Sequence, residues 1–165
     1  MLKICRAIDE VRFFELMHVY EEGIRFNARS FYPDQDENVA LISSEQDFYQ
    51  YLSEVFFAVE NAFYAVWEIN GHYVSALRME PYKDGLLLEG LETAPDKRGK
   101  GYATLLLQQV LNLVHMPVYS HVAKDNIYSI KTHNKCGFVQ CLDHAEMIDG
   151  KLDKGMFTFL YSGGK

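Results

Sequence analysis

Three cations and two glycines, Lys97, Arg98, Gly99, Lys100 and Gly101, stand directly before an apolar helical run that opens with Tyr102, Ala103 and Thr104. A helix start usually carries Ser, Thr, Asp or Asn as its cap and acidic residues in its first turn. Cations are the wrong sign for the positive end of a helix dipole, which implies an anion that compensates. Small residues at alternate positions let the backbone approach a ligand closely and expose several N–H donors. With the helix N-terminus behind them, these residues describe a diphosphate site. The competing reading is a tight strand-to-helix turn with solvated lysines.

Two phosphate-loop patterns fail. A Walker loop needs GxxxxGK followed by Ser or Thr, and the run from Arg98 to Thr104 does not supply it. The dinucleotide pattern GxGxxG holds Thr104 where its third glycine belongs, and the early βαβ setting is missing.

The elements that must position this loop follow from periodicity. A short strand at Leu2–Ile8 precedes an amphipathic helix that should start near Asp9 as cap. The stretch from Ala28 to Ser43 is polar and aromatic with a proline, and reads as loop or broken helix; a second helical period resumes with Ser44 as cap. Two β-rich runs joined by Asn70-Gly71 form a hairpin, and Lys83-Asp84-Gly85 turns into the strand Leu86–Thr93. A helix from about Gly101 to His115, stopped by Pro117, leads to a strand at Pro117–Ala123 and a helix from Asn126 to Cys136. A last pair of strands flanks Asp149-Gly150. Antiparallel hairpins with helices between them indicate a mixed α/β sheet.

Bulk properties set limits. At 165 residues, one domain over 1–165 is expected, long enough to bury its own core. A formal charge of −7 argues against nonspecific nucleic-acid binding, so the cations near Arg98 are a local exception. Cys5, Cys136 and Cys141 form no CxxC and no zinc spacing, which suggests free thiols in a reducing compartment and no metal. The N-terminal run turns polar early for a signal peptide, and no apolar run reaches membrane-span length, so a cytoplasmic protein without a membrane partner is expected.

What does fit the loop is R-x-x-G-x-A, Arg98 through Ala103. It resembles the acyl-CoA pyrophosphate loop, Q/R-x-x-G-x-G/A, of the GNAT N-acetyltransferase superfamily. A second segment supports the resemblance: Asn126, Ser129, Gly137 and Phe138 match the family's N-x-x-A/S helix start and its G-F end at the usual spacing. The resemblance implies a single-domain GNAT fold, with a mostly antiparallel sheet of about seven strands and about four helices around it. It implies acetyl-CoA as donor substrate, held by Leu91, Thr93, Arg98, Gly99, Lys100, Gly101, Tyr102, Ala103, Thr104, Asn126 and Ser129. It also implies acetyl transfer to a primary amine by direct attack in a ternary complex, with no acyl-enzyme.

That chemistry requires a deprotonated amine, since an alkylammonium with a pKa near ~10 is no nucleophile. Glu89 and Glu92 lie in the relevant strand, and strict alternation puts them on opposite faces unless a bulge intervenes. Glu92, beside the loop, is the preferred base, and His121 in the neighbouring strand is a second candidate. Many GNAT enzymes place a tyrosine acid where this chain has His133; a neutral imidazole still has one N–H to offer the departing thiolate. Tyr128 lies too early on the helix to share that position, and Cys136, next to Gly137, reads as packing.

The resemblance places the acceptor between the first two helices, where Asp34, Asp36 and Glu37 near Phe31 and Tyr32 suit a cationic amine of a small molecule, amino acid or peptide. A solvated acidic loop is the plain alternative. A homodimer is an open assembly state. Two other readings compete: a non-catalytic CoA-binding sensor or interaction module on the same fold, and a nucleotide-binding regulator, against which the motif comparison argues.

Overall fold

The computed structural model describes residues 1–163. Seven strands form one sheet in the order β1-β2-β3-β4-β5-β9-β6, where β1 is Leu2–Cys5, β2 Phe63–Ile69, β3 His72–Tyr82, β4 Gly85–Thr93, β5 Val118–Ala123, β6 Val139–Leu142 and β9 Met156–Tyr161. Every neighbouring pair is antiparallel except β4 and β5. A parallel pair needs a crossover, and α4 (Tyr102–Leu111) provides it. The mixed sheet read from the hairpins is therefore present, and Asn70-Gly71 makes the β2–β3 turn with both residues at positive φ.

Alternation along the strands divides the core into two. One face packs Leu77, Met79, Leu86, Leu88 and Val118 against Leu106, Leu107 and Val110 of α4. The other packs Tyr64, Val66, Tyr73 and Ala76 against the N-terminal helices through Leu16, Val19, Ile24 and Leu52.

Among the described residues five α-helices flank the sheet, close to the about four expected. The first expected helix is two, α1 (Phe13–Val19) and α2 (Glu21–Phe31), and Asp9 lies in a separate 3-10 turn at Ile8–Glu10 instead of capping either. The chain turns at Tyr20, whose ring packs edge-on against Phe48 and Tyr64 while its hydroxyl donates to the Gly90 carbonyl at 2.6 Å. Tertiary burial of one aromatic thus overrides a continuous helical period. Only residues 32–36 are loop between α2 and α3 (Glu37–Tyr51), and the α3 cap is Asp36, which accepts from Asn38 N–H. Ser44, the expected cap, is buried in mid-helix. The helix α4 ends at Leu111, before the expected His115. After α5 (Ile127–Lys135), the expected strand from Phe138 to Ile148 is broken into β6 and β7 (Ala145–Glu146). The strand β7 leaves the sheet to pair with β8 (Leu152–Asp153) around Asp149-Gly150.

Candidate active site

The parallel pairing of β4 and β5 stops at the rung Leu88–Ser120, and beyond it the strands have no mutual register. On its other side β4 is bulged: Ala76 pairs with Glu92 and Arg78 with Glu89, so Gly90 and Leu91 together oppose Leu77. Gly90 takes φ +58°, the left-handed residue such a bulge requires. The splayed ends enclose a cleft of about 160 Å³, walled by Glu89–Glu92, Ser120–Ala123 and, from α5, Asn126, Ser129 and His133.

The bulge changes the strand arithmetic. Ala76 and Arg78 lie two apart on β3 and share a face, so their partners Glu92 and Glu89 share it too. The expectation that only one carboxylate faces the acceptor side holds without a bulge, and here there is one. Burial raises the pKa of Glu92; Arg98 draws it back and Glu22 adds to the rise. Glu89 lies 3.4 Å from Arg78 Nε without hydrogen-bond alignment, and both of those atoms are buried without a partner. Beside them Glu80, buried next to Glu89, is pushed up to about 7 by burial and by the neighbouring carboxylate. Of the carboxyl groups on this face, Glu92 both lines the cleft and has its pKa raised, which suits it to taking a proton.

On the opposite face lies His133, only 2 % exposed. Its Nδ1 is 2.8 Å from the Ser129 carbonyl, an acceptor, so Nδ1 carries the proton. Its Nε2 is 2.8 Å from Ser120 Oγ. Burial lowers its pKa, partly offset by the Ser129 carbonyl, and the ring stands edge-on to Phe138. The N–H expected to reach the thiolate thus points into the helix, and Nε2, without a proton of its own, accepts from the Ser120 hydroxyl.

At the glycine loop, Gly99 and Gly101 take φ +76° and +79°, and a Cβ at either would meet nothing within 4 Å. Backbone conformation, not crowding, requires glycine there, and the space above the loop is open. Gly101 caps α4 with no side-chain bond, so the first-turn N–H groups of Tyr102, Ala103 and Thr104 face outward unpartnered by the helix. Arg98 turns back from the loop: it lies 2.9 Å from Glu22 and 3.9 Å from Glu92, and its Nε donates to the Thr93 carbonyl. Lys97 pairs with Asp96. Asn126 caps α5 by accepting from Ser129 N–H at 3.1 Å. Leu91 packs on the α4 side of the sheet, and Thr93 Oγ1 donates to Ser75.

The other candidates fall outside this geometry or at its rim. His121 lines the cleft, but Nε2 is 3.1 Å from the Glu146 carbonyl and Nδ1 is 3.0 Å from Thr158 Oγ1. Tyr128 is 86 % exposed, and Cys136 is buried with its thiol pKa raised by burial. In the acidic run near Phe31, Asp36 caps α3, Glu37 pairs with Arg25 and Arg29, and Tyr32 bonds Asp47. Tyr32 and Glu37 border a separate groove between α2 and α3, and none of these residues lines the cleft.

A sequence model described as the acetyltransferase (GNAT) family matches residues 21–138, from the start of α2 to three residues past α5. The chain belongs to the GNAT family. Solved GNAT structures share its fold at low identity. The PaiA N-acetyltransferase of Thermoplasma acidophilum, in complex with coenzyme A, is 12% identical with a TM-score of 0.65, covering 98% of this chain and 99% of its own. The ribosomal-protein-S18-alanine N-acetyltransferase of Escherichia coli is 17% identical with a TM-score of 0.58, covering 100% and 96%. A spermidine N-acetyltransferase chimera from Vibrio cholerae and hSSAT is 17% identical with a TM-score of 0.50, covering 74% and 75%. No curated protein matches the sequence.

Sequence reasoning missed one wall of this GNAT cleft, Ser120, and two residues packed behind another, Glu80 and Arg78 beside Glu89. None has a local signal, because each acquires its meaning from a partner on another strand or helix. Gly90 did have one, since glycine inside a strand marks a bulge or a close approach. Among the described residues no helix is long and apolar enough to cross a membrane, and no group of three His, Cys, Asp or Glu is placed to hold a metal.

Proposed function

We propose that this chain, as one domain over 1–165, transfers the acetyl group of acetyl-CoA to a primary amine of a small molecule, amino acid or peptide. The amine attacks directly in a ternary complex. The observation that carries this reading is the splayed β4–β5 cleft, which opens beside an uncapped helix N-terminus approached by two left-handed glycines. Backbone N–H groups from Gly99 to Thr104 would hold the diphosphate, with Lys100 adding charge and Arg98 joining once it swings from Glu22 and Glu92 toward the loop. The β4 edge beyond Leu88 has no strand partner, so Leu91 and Thr93 offer main-chain groups to the pantetheine arm and thioester carbonyl. Asn126 and Ser129 flank that arm. Structural neighbours that bear N-acetyltransferase names, one solved with coenzyme A, support the donor.

Glu92 is the base. Its raised pKa and its place on the acceptor face fit proton removal from an ammonium. A raised carboxyl pKa means protonation, hence loss of base function, as pH falls through that value. Glu92→Gln is expected to lower kcat/KM on the order of 10²-fold at neutral pH, with the deficit closing toward pH ~10 as free amine becomes abundant. A deficit that is flat across a kcat/KM pH profile would remove Glu92 from this role.

Thermal unfolding with saturating acetyl-CoA, CoA, ATP and NAD tests the donor. Ligand at about 100-fold its dissociation constant stabilises by ~2.7 kcal/mol, a rise of roughly 5–11 °C for this size. A shift with the two CoA species alone supports the reading, and no shift with either overturns it. Thiol release with spermidine and with a peptide bearing an N-terminal alanine then tests turnover.

A further inference from the structure

Ser120 and His133 meet where the cleft narrows to the last β4–β5 rung, and no reading of the sequence joins them. Because Nδ1 of His133 donates to the Ser129 carbonyl at 2.8 Å, its Nε2 presents a lone pair. The Ser120 hydroxyl, 2.8 Å away, donates to it in preference to the Leu88 carbonyl at 3.4 Å. Ser120 is thereby left with oxygen lone pairs available to the cleft that it lines. The imidazole is fixed on its remaining sides by the rings of Phe138 and Phe159. The groups that face it, Ser120, Ser129, Phe138 and Phe159, are all uncharged.

We propose that Ser120 and His133 are a proton shuttle, which takes the proton of the attacking amine and returns it to the sulfur of CoA. This rests on the N-acetyltransferase reading above and deepens it. After Glu92 has removed the ammonium's first proton, the attacking nitrogen still carries one too many once its bond to the acetyl carbon forms. That N–H bond breaks and a new Oγ–H bond forms on Ser120, while the old Oγ–H proton passes to His133 Nε2. When the C–S bond breaks, sulfur keeps the electron pair and takes the Ser120 proton, and Nε2 returns its own to Oγ. The amine proton ends on the thiol, and both side chains regain their starting state. Ser120 touches the reacting atoms, and His133 acts through it. Burial that disfavours the imidazolium makes it a short-lived, strong acid toward a thiolate.

Two measurements test the pair. In the ¹⁵N spectrum of histidine-labelled protein at neutral pH, His133 should be the neutral Nδ1–H tautomer, and its Nε2 resonance should move in Ser120→Ala. An Nε2–H tautomer or an imidazolium overturns the proposal. With spermidine or the alanyl peptide as acceptor, Ser120→Ala should lower kcat on the order of 10²-fold, leave KM for acetyl-CoA within about twofold, and reduce the solvent isotope effect. Ser120→Thr, which keeps the hydroxyl, should recover most of the rate and guards against a folding defect in the alanine variant. A Ser120→Ala enzyme with kcat within about twofold of wild type overturns the shuttle. Coenzyme A binding by the wild-type chain tests the family activity separately, so the two ideas fail independently.

Discussion

Gly101→Glu is expected to lower affinity for coenzyme A about 10³-fold while the chain stays folded. The residue sits at φ +79° with open space around the site of a Cβ, so the side chain has room and the cost is conformational, about 1–2 kcal/mol. A fall in Tm of a few degrees follows for a domain of this size. The charge does the rest. A carboxylate at the uncapped start of α4 occupies the place prepared for an anion and satisfies the N–H groups that the diphosphate would use. Two charge-assisted hydrogen bonds lost at about 1.5–3 kcal/mol each give the stated loss. Gly101→Ala carries the same backbone cost without the charge and should lose no more than about tenfold. Calorimetric titration of both variants with coenzyme A separates the effects. Equal affinities in the two would show that the loop is a turn and not the diphosphate cradle.

The contrast between local and non-local information explains what the sequence could show. The Asn70-Gly71 turn, the glycine loop and the Asn126 cap were legible because each is written within a few consecutive residues. Helix boundaries failed where a distant contact decided them. Tyr20 ends α1 because its ring and hydroxyl belong to the sheet, and Ser44 is buried in α3 although its type suits a cap. The site divides the same way. The loop and the identity of His133 as the departure from the family's tyrosine were readable, whereas the direction of its ring was not. That direction depends on Ser129 one turn away and on Ser120 across a strand gap. The resemblance put the acceptor at the acidic residues near Phe31, yet capping and ion pairing with Arg25 and Arg29 account for Asp36 and Glu37. Composition can gather carboxylates, but only topology shows how each is held: Glu89 sits against the Arg78 guanidinium with one buried oxygen that makes no hydrogen bond.

Gly90→Val should reduce acetyl transfer on the order of 10³-fold, because it removes the device that puts two carboxylates on one face. A β-branched residue at φ +58° is a conformational outlier that costs about 1–3 kcal/mol. Its Cβ would also stand 3.0 Å from Arg78 Nη1 and 3.1 Å from the Tyr20 hydroxyl. The chain can relieve this strain by returning residue 90 to extended geometry. The extra residue then leaves the bulge, and Glu92 rotates to the α4 side of the sheet, away from the acceptor. The Tyr20 bond to the Gly90 carbonyl is lost in the same movement, which unpins the turn between α1 and α2. Gly90→Asn separates sterics from conformation, since asparagine tolerates the left-handed region while still adding a Cβ. It should retain more activity than valine, and a similar loss in both would assign the effect to crowding of Arg78 and Tyr20. Steady-state kinetics and thermal unfolding of the two variants make the comparison. A valine variant that turns over at the wild-type rate would mean that the bulge does not organise the chemistry, and Glu92 could no longer be the base on that argument.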